Sequence, residues 1–331
     1  MSTFPNKTSQ YKFNPEISKE LNKLTVLDNY HVIIALLQDW GIIILSSIVA
    51  HYYFYFYPIC LIIIGSRQRG LGNIFHDSTH GNIVKNRRLC NITGTFLSGY
   101  WVGLSMSDYR ESHVKLHHNY LGNIKVDPDY QYYHNIGIYG EKITPKDFLF
   151  AHIIPMLLLF RVPGDIFYFF KNRILAMKTY PLDYCKMVTC WVVAFIIAIY
   201  YHKVDILFFY WIIPFFTTYN MIDYIIQMAE HYPLLGKSTN VLYLSRNRFS
   251  HWLEAIFLSI RNENYHLVHH LRPAIPFWNL AKAHKIMMKD MTYRKINQNF
   301  GGIFYSSNGN NSFIPILCSK VTWRTMSTLC E

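Results

Sequence analysis

The chain has 331 residues, of which 51% are hydrophobic and 17% aromatic, and it carries a formal net charge of +12. Charged residues make up 16%, against about 25% in a soluble globular protein, which argues against an ordinary soluble protein and for a membrane protein with large water-facing parts. None of the nucleic-acid-binding motifs accompanies the basic balance, and Lys and Arg beside apolar spans are instead the mark of cytoplasmic loops.

The N-terminal stretch MSTFPNKTSQYKFNPEIS is polar and lacks a hydrophobic signal core, so no cleaved signal peptide is expected and residues 1–30 read as a polar arm. From Val32 to Gly65 the chain is largely apolar. One helix of that length would rise about 50 Å, against a hydrocarbon core of about 30 Å, so two spans joined near His51 are predicted. The first runs from Val32 to Ala50 and holds Asp39; the second runs from Tyr53 to Gly65, holds Pro58 and continues as helix through SRQRGLGN. An intramembrane carboxylate is costly unless it faces protein or the interface.

The segment from Ser66 to Lys186 is mixed and rich in Lys and Arg. Within it NITGTFLSGYWVGLS and DFLFAHIIPMLLLF are apolar but short for a span, and read as buried or interfacial. Lys186 to Tyr201 and Ile206 to Ile222, joined by HKVD, predict a second transmembrane hairpin with a bend at Pro214. Residues 223–300 are polar with helical periodicity, and the tail from Gly301, with SSNGNNS, reads as loose. Six cysteines (Cys60, Cys90, Cys185, Cys190, Cys318 and Cys330) form no CxxC pair and read as reduced, mostly structural thiols.

The expected fold is all-α: an integral membrane protein with four transmembrane helices in two hairpins and a helical cap. It comprises an arm at 1–30, one membrane domain at 31–300 and a tail at 301–331. Each hairpin returns the chain to its starting side, so the segments outside the hairpins share one face. The positive-inside rule makes that face cytoplasmic, in a bacterial inner membrane or an endoplasmic reticulum.

Histidines carry the chemistry. HDSTH offers His76 and His80; HVKLHH offers His113, His117 and His118; QMAEHYP offers His231; HLVHH offers His266, His269 and His270. Spacings of three and four place side chains on one helix face. Adjacent residues such as His117 and His118 diverge by about a third of a turn, so one helix can serve two ions. A structural zinc needs four ligands, whereas nine imidazoles suit two metals with positions left open for a small molecule. Imidazole serves Zn, Cu, Fe and Ni alike. Asp77, Asp108, Asp127, Asp129, Glu230 and Glu263 lie close enough in sequence to hold the outer ring nitrogens. The lone histidines His31, His134, His152, His202, His251 and His284 read as surface or core residues. All nine cluster histidines fall outside the predicted spans, which argues against a metal transporter, whose ligands sit near the midplane.

The ordered set HDSTH, HVKLHH, HLVHH resembles the three histidine boxes of the membrane fatty-acid desaturase superfamily. That group includes acyl-lipid and acyl-CoA desaturases, fatty-acid hydroxylases, sphingolipid desaturases and carotenoid ketolases. HHNYLGNIKVDPDY resembles its second box with the acidic-Pro-acidic segment that follows, and HHLRPAIPFWNL its third box with a Pro-aromatic stretch. The resemblance covers about residues 30–290. It implies that His76, His80, His113, His117, His118, His231, His266, His269 and His270 bind two ferrous ions, with O2 as co-substrate. His231 matches the extra ligand between the second and third boxes. Gln227 stands four residues before it, where acyl-CoA desaturases have an Asn that reaches iron through water. Asp77, Asp127, Asp129 and Glu263 are the carboxylates expected to support the ligands. The HxxxH form of the first box is that of acyl-lipid desaturases and ketolases, while acyl-CoA desaturases have HxxxxH. Arg272 stands where many relatives have an apolar residue.

The implied reaction is O2-dependent attack on an unactivated C–H bond of an acyl chain. Removal of two hydrogens gives a double bond, and one removal followed by rebound gives an alcohol. Hydroxylation, ketolation or decarboxylation of a lipid or terpenoid on the same scaffold is the alternative that the boxes leave open. A membrane interaction protein with a vestigial site is a third reading. The sequence has no Rossmann fingerprint, CxxCH haem site, iron-sulfur cysteine set or HPGG signature, so electrons are expected from a separate ferredoxin or cytochrome b5.

Overall fold

The computed structural model describes residues 6–139 and 144–319; the first five residues of the arm, residues 320–331 of the tail and Cys330 lie outside it. The described residues are helical, with isolated bridges Ser9–Asn240 and Ser250–Ser306 in place of strands. They fall into two compact units. One comprises residues 6–26, 110–139, 144–155 and 225–319, the other residues 27–109 and 156–224.

The second of these units holds the helices His31–Tyr52 and Tyr57–His80. Asp28 starts the first of them by accepting the N–H groups of Tyr30 and His31 at 3.0 and 3.1 Å. Phe54–Phe56 reverses the chain, and the helices pack against each other. Pro58 lies in the first turn of Tyr57–His80, where no intrahelical donor is lost, rather than inside a span as the sequence predicts. Asp39 is fully buried, and its Oδ1 lies 3.8 Å from Nη1 of Arg67 on the returning helix, so the carboxylate faces protein. Gly81, with φ of 70°, ends that helix in the left-handed conformation and leaves His76 and His80 on its final turns.

Gly65 marks a close approach. A Cβ there would stand 2.2 Å from Thr218 Oγ1 and 2.7 Å from the Tyr219 backbone nitrogen. Thr218 Oγ1 donates to the Leu61 carbonyl at 2.6 Å, so the small residue lets the backbones meet. Gly65→Ala is expected to cost about 1–3 kcal/mol by overpacking, read as a lower melting temperature of the detergent-solubilised protein. An unchanged melting temperature would mean that the helices separate without penalty.

Among the described residues, His31–Tyr52 and Pro181–Tyr200 are each long and apolar enough to cross a membrane. Pro145–Leu157 with Val162–Thr179 makes a third only if that bent pair is one span. The two other expected spans do not stand alone, for local reasons. The second half of Tyr57–His80 is polar. The chain after Val204 is one short α-helical turn, then π-helical at Phe208–Ile212 and Phe215–Tyr219 on either side of Pro214, before Asn220–His231. A proline lacks the N–H that a regular helix needs, and a π-bulge is one way for the chain to absorb it.

In the first unit, the arm is less polar than its composition implies. Asn14 caps Pro15–Asn22 by accepting the Ile17 N–H at 2.8 Å. The helix buries Ile17 and Leu21 in a core with Leu267, Val268, Leu271 and Tyr293. Arg272 points back to this arm and donates to Ser18 Oγ at 3.2 Å. The tail also differs from expectation over its described length. Glu254 accepts the N–H groups of Ile303, Phe304 and Tyr305 at 2.7, 2.8 and 2.9 Å, and Phe313–Cys318 buries Phe313 and Leu317. A single carboxylate 50 residues upstream thus fixes a segment whose own composition signals a loop.

Candidate metal centre

The second box lies on a π-helical segment, Arg110–His117. The His118 N–H donates to the His113 carbonyl at 3.0 Å, five residues back. In this wider turn residues five apart share a face, so His113 and His118 meet with their Nε2 atoms 3.2 Å apart. His118 Nε2 lies another 3.2 Å from His269 Nε2. His117 turns to a different set: its ligand atom and those of His231 and His270 lie within 4.8 Å of one another. His266 joins them, with Nε2 at 2.8 Å from His231 Nε2 and 2.9 Å from His270 Nε2.

The first unit therefore holds two groups, His113, His118 and His269 in one and His117, His231, His266 and His270 in the other. Adjacent histidines of the second and third boxes are divided between them, as the sequence geometry predicts for His117 and His118. His76 and His80 lie side by side in the second unit, ring centroids 4.8 Å apart, with His76 Nδ1 at 2.9 Å from Asp77 Oδ1.

Outer contacts fix how the rings present themselves. His117 Nδ1 lies 2.9 Å from Asp127 Oδ1, His231 Nδ1 donates to the Leu244 carbonyl at 3.0 Å, and His266 Nδ1 lies 3.3 Å from Glu230 Oε2. In neutral rings, protons on these Nδ1 atoms leave Nε2 lone pairs converging on one another, an arrangement that repels unless a cation sits among them. The donor set fits a divalent transition metal. His270 is the exception, its buried Nδ1 having no hydrogen-bond partner among the described residues.

Electrostatics agree for His231 and His270 and differ for His117. Burial, then the charge of His117, pushes the His231 pKa down to about 3. Burial, then the neighbouring His266 and His231, holds His270 well below its usual value. Both are neutral lone-pair donors at neutral pH. Burial also disfavours the charged form of His117, but Asp127 and then Asp129 override it and lift the pKa to about 9. Asp127 is held below the usual carboxylate range because His117 and the N–H groups of Gly122 and Tyr130 outweigh its burial. Asp127 is also the cap of Pro128–Asn135, accepting from Asp129 and Tyr130, so the acidic-Pro-acidic segment is both a helix start and a ring holder.

The other expected supporting residues divide. Asp129 Oδ2 lies 3.4 Å from His117 Nδ1 and 3.8 Å from His113 Nδ1. Gln227 is partly exposed, one turn before His231. Glu263 lies on the turn before the third box, its N–H donating to the Ile260 carbonyl. Asp108 pairs with Arg173 and accepts from the Tyr184 hydroxyl. The carboxylate that faces His266 is Glu230, which sequence reasoning names but does not assign; its place beside His231 is the signal. The Leu244 carbonyl has no sequence signal. His284, read as a core or surface residue, is buried with Nδ1 2.9 Å from the Tyr293 hydroxyl.

The fatty acid desaturase family model matches residues 23–301, a range that includes every box. A dihydrorhizobitoxine desaturase of Bradyrhizobium elkanii is 31% identical over 309 residues, covering 90% of this chain and 87% of that protein. With the boxes in order, the imidazoles of the second and third boxes and His231 gathered into two groups and the match running through most of its length, the chain belongs to the fatty acid desaturase family.

Proposed function

We propose that this protein is an O2-dependent di-iron desaturase that introduces a double bond into the alkyl chain of a membrane lipid. The observation that carries the reading is the pair of convergent imidazole groups, each built from the second and third boxes. His76 and His80 are proposed to join the group of His113, His118 and His269; the family match across the first box supports this. Imidazole alone does not select iron, and the family is what favours it. Two ferrous ions, when bound, supply the O2 chemistry that C–H removal requires.

The chain's own groups do the positioning. Asp127, Glu230 and the Leu244 carbonyl hold ring orientation, and Gln227 is the proposed water-mediated contact. Burial of His117, His231 and His270 keeps solvent from the ligand nitrogens. The remaining proposals are four spans, a site on the cytoplasmic face of a bacterial inner membrane or endoplasmic reticulum, and a separate ferredoxin or cytochrome b5 as electron donor. The apolar helices of the second unit support membrane placement. A second reading, desaturation of dihydrorhizobitoxine, is supported by the name of the relative.

Lipid mass spectrometry of cells with and without the gene tests the reaction. The expected result is an acyl chain lighter by two hydrogens, absent in cells expressing His118→Ala. A gain of one oxygen mass instead indicates hydroxylation. Unchanged lipids with turnover of added dihydrorhizobitoxine sink the acyl-lipid reading in favour of the second.

A further inference from the structure

The third-box helix, His266–Leu271, begins without a cap of its own: Tyr265 at its N-terminus makes no side-chain capping bond. Its first-turn N–H groups are satisfied from a distance. Asn247, 1% exposed, accepts the N–H of Leu267 at 3.1 Å and of Val268 at 3.3 Å on one oxygen, Oδ1. The same amide donates from Nδ2 to the Tyr293 hydroxyl at 2.8 Å and to Asn297 Oδ1 at 2.7 Å. Tyr293 in turn lies 2.9 Å from His284 Nδ1. Burial pushes the His284 pKa down to about 4, so the ring is neutral at neutral pH. Asn297 Nδ2 donates to the Tyr293 carbonyl at 2.8 Å. Every hydrogen-bonding site of the Asn247 amide is used.

The next residue works on the same helix from another side. Arg248 Nε holds Glu230 Oε1 at 2.9 Å, and Glu230 Oε2 faces His266 Nδ1. A backbone bond from the Arg248 N–H to the Asn264 carbonyl at 2.8 Å, with Asn264 Nδ2 returning to the Arg248 carbonyl at 2.9 Å, locks the two segments together.

We propose that Asn247 is a positioning residue for the metal centre: a remote cap that sets the position of the third-box helix and thereby of His269 and His270. The proposal rests on the reading of those histidines as metal ligands. A helix of six residues has little stability of its own, and its first-turn N–H groups would otherwise be buried unpaired. Packing by Leu267, Val268 and Leu271 fixes the helix to the core, while the Asn247 amide fixes its position along and about its axis.

The test uses the full chain in detergent, with Asn247→Leu, Asn247→Asp and Tyr293→Phe. Leu has similar volume and no polar atom; Asp keeps the acceptor oxygen for both N–H groups. Two readouts are taken: hydrogen exchange at the Leu267 and Val268 amides in metal-free protein, and ferrous-ion affinity by chelator competition. For Asn247→Leu we expect loss of protection at those amides and about 10- to 100-fold weaker iron binding, the range for loss of a group that orients a ligand. Asn247→Asp restores both, and Tyr293→Phe gives a smaller loss of both. If Asn247→Leu fails to fold, the comparison of Asp with Phe decides: an Asp variant as weak in iron binding as Phe overturns the proposal. Equal protection at Leu267 and Val268 in wild type and Asn247→Leu also overturns it. Wild-type protein that takes up no iron overturns the metal reading instead, and the exchange measurement still decides whether Asn247 is the cap.

Discussion

Purified wild-type protein is expected to hold about two irons per chain, and His231→Ala and His269→Ala are each expected to lower this toward about one. The two substitutions act on different groups: His231 with His117, His266 and His270, and His269 with His113 and His118. Desaturation should fall in both by at least about 100-fold, the upper end for losing a mere supporting partner, because a ligand itself is gone. The double variant should hold almost none. Metal analysis with a melting curve beside it is the measurement. If both single variants keep full iron and unchanged melting, the histidines are not the ligands. A zinc-only preparation after iron-replete expression, at full stability, would argue against the oxygenase chemistry.

The second large effect is expected at the buried pair Arg248 and Glu230, which are 0% and 1% exposed with 2.9 Å between Nε and Oε1. Arg248→Ala leaves Glu230 charged, buried and without that partner, and removes the bond from Arg248 Nη1 to the Leu258 carbonyl. A loss of about 3–5 kcal/mol follows, measured by denaturant or thermal unfolding in detergent. Replacing both residues, Arg248→Met with Glu230→Leu, is expected to recover most of that stability, because the desolvation cost of two charges disappears with them. It should not recover iron binding, since His266 Nδ1 no longer has its carboxylate. Recovery of both stability and iron would show that Glu230 serves the fold alone.

Much of this protein is legible in its residues. The helix Tyr57–His80 follows from an apolar run that continues into SRQRGLGN, and its end follows from Gly81. The nine histidines point to a candidate metal centre by number and order, and the adjacent pair His117 and His118 points to two groups. Local chemistry suffices here, because helix period and ligand type are properties of short stretches.

Other features needed the fold. The π-helical turn that brings His113 against His118 replaces the four-residue spacing that sequence reasoning applies, and a backbone hydrogen-bond register is not written in side-chain identity. The irregular helix around Pro214 leaves the span expected there without one regular helix long enough to cross a membrane. The arm and the described part of the tail look polar or loose, yet each buries a few side chains in a core that distant segments supply, as Leu21 does against Leu267 and Tyr293. Arg272, puzzling beside the third box, is answered by Ser18 at the other end of the chain.

The sequence by itself determined which residues can bind metal and that an apolar, helical chain carries them. The tertiary structure decided how seven of those histidines divide, which nitrogen of His117, His231 and His266 turns inward, and that Asp127, the Leu244 carbonyl and Glu230 lie against their outer nitrogens. Ligand chemistry resides in single side chains, but orientation comes from partners many residues away, brought close only when the core forms.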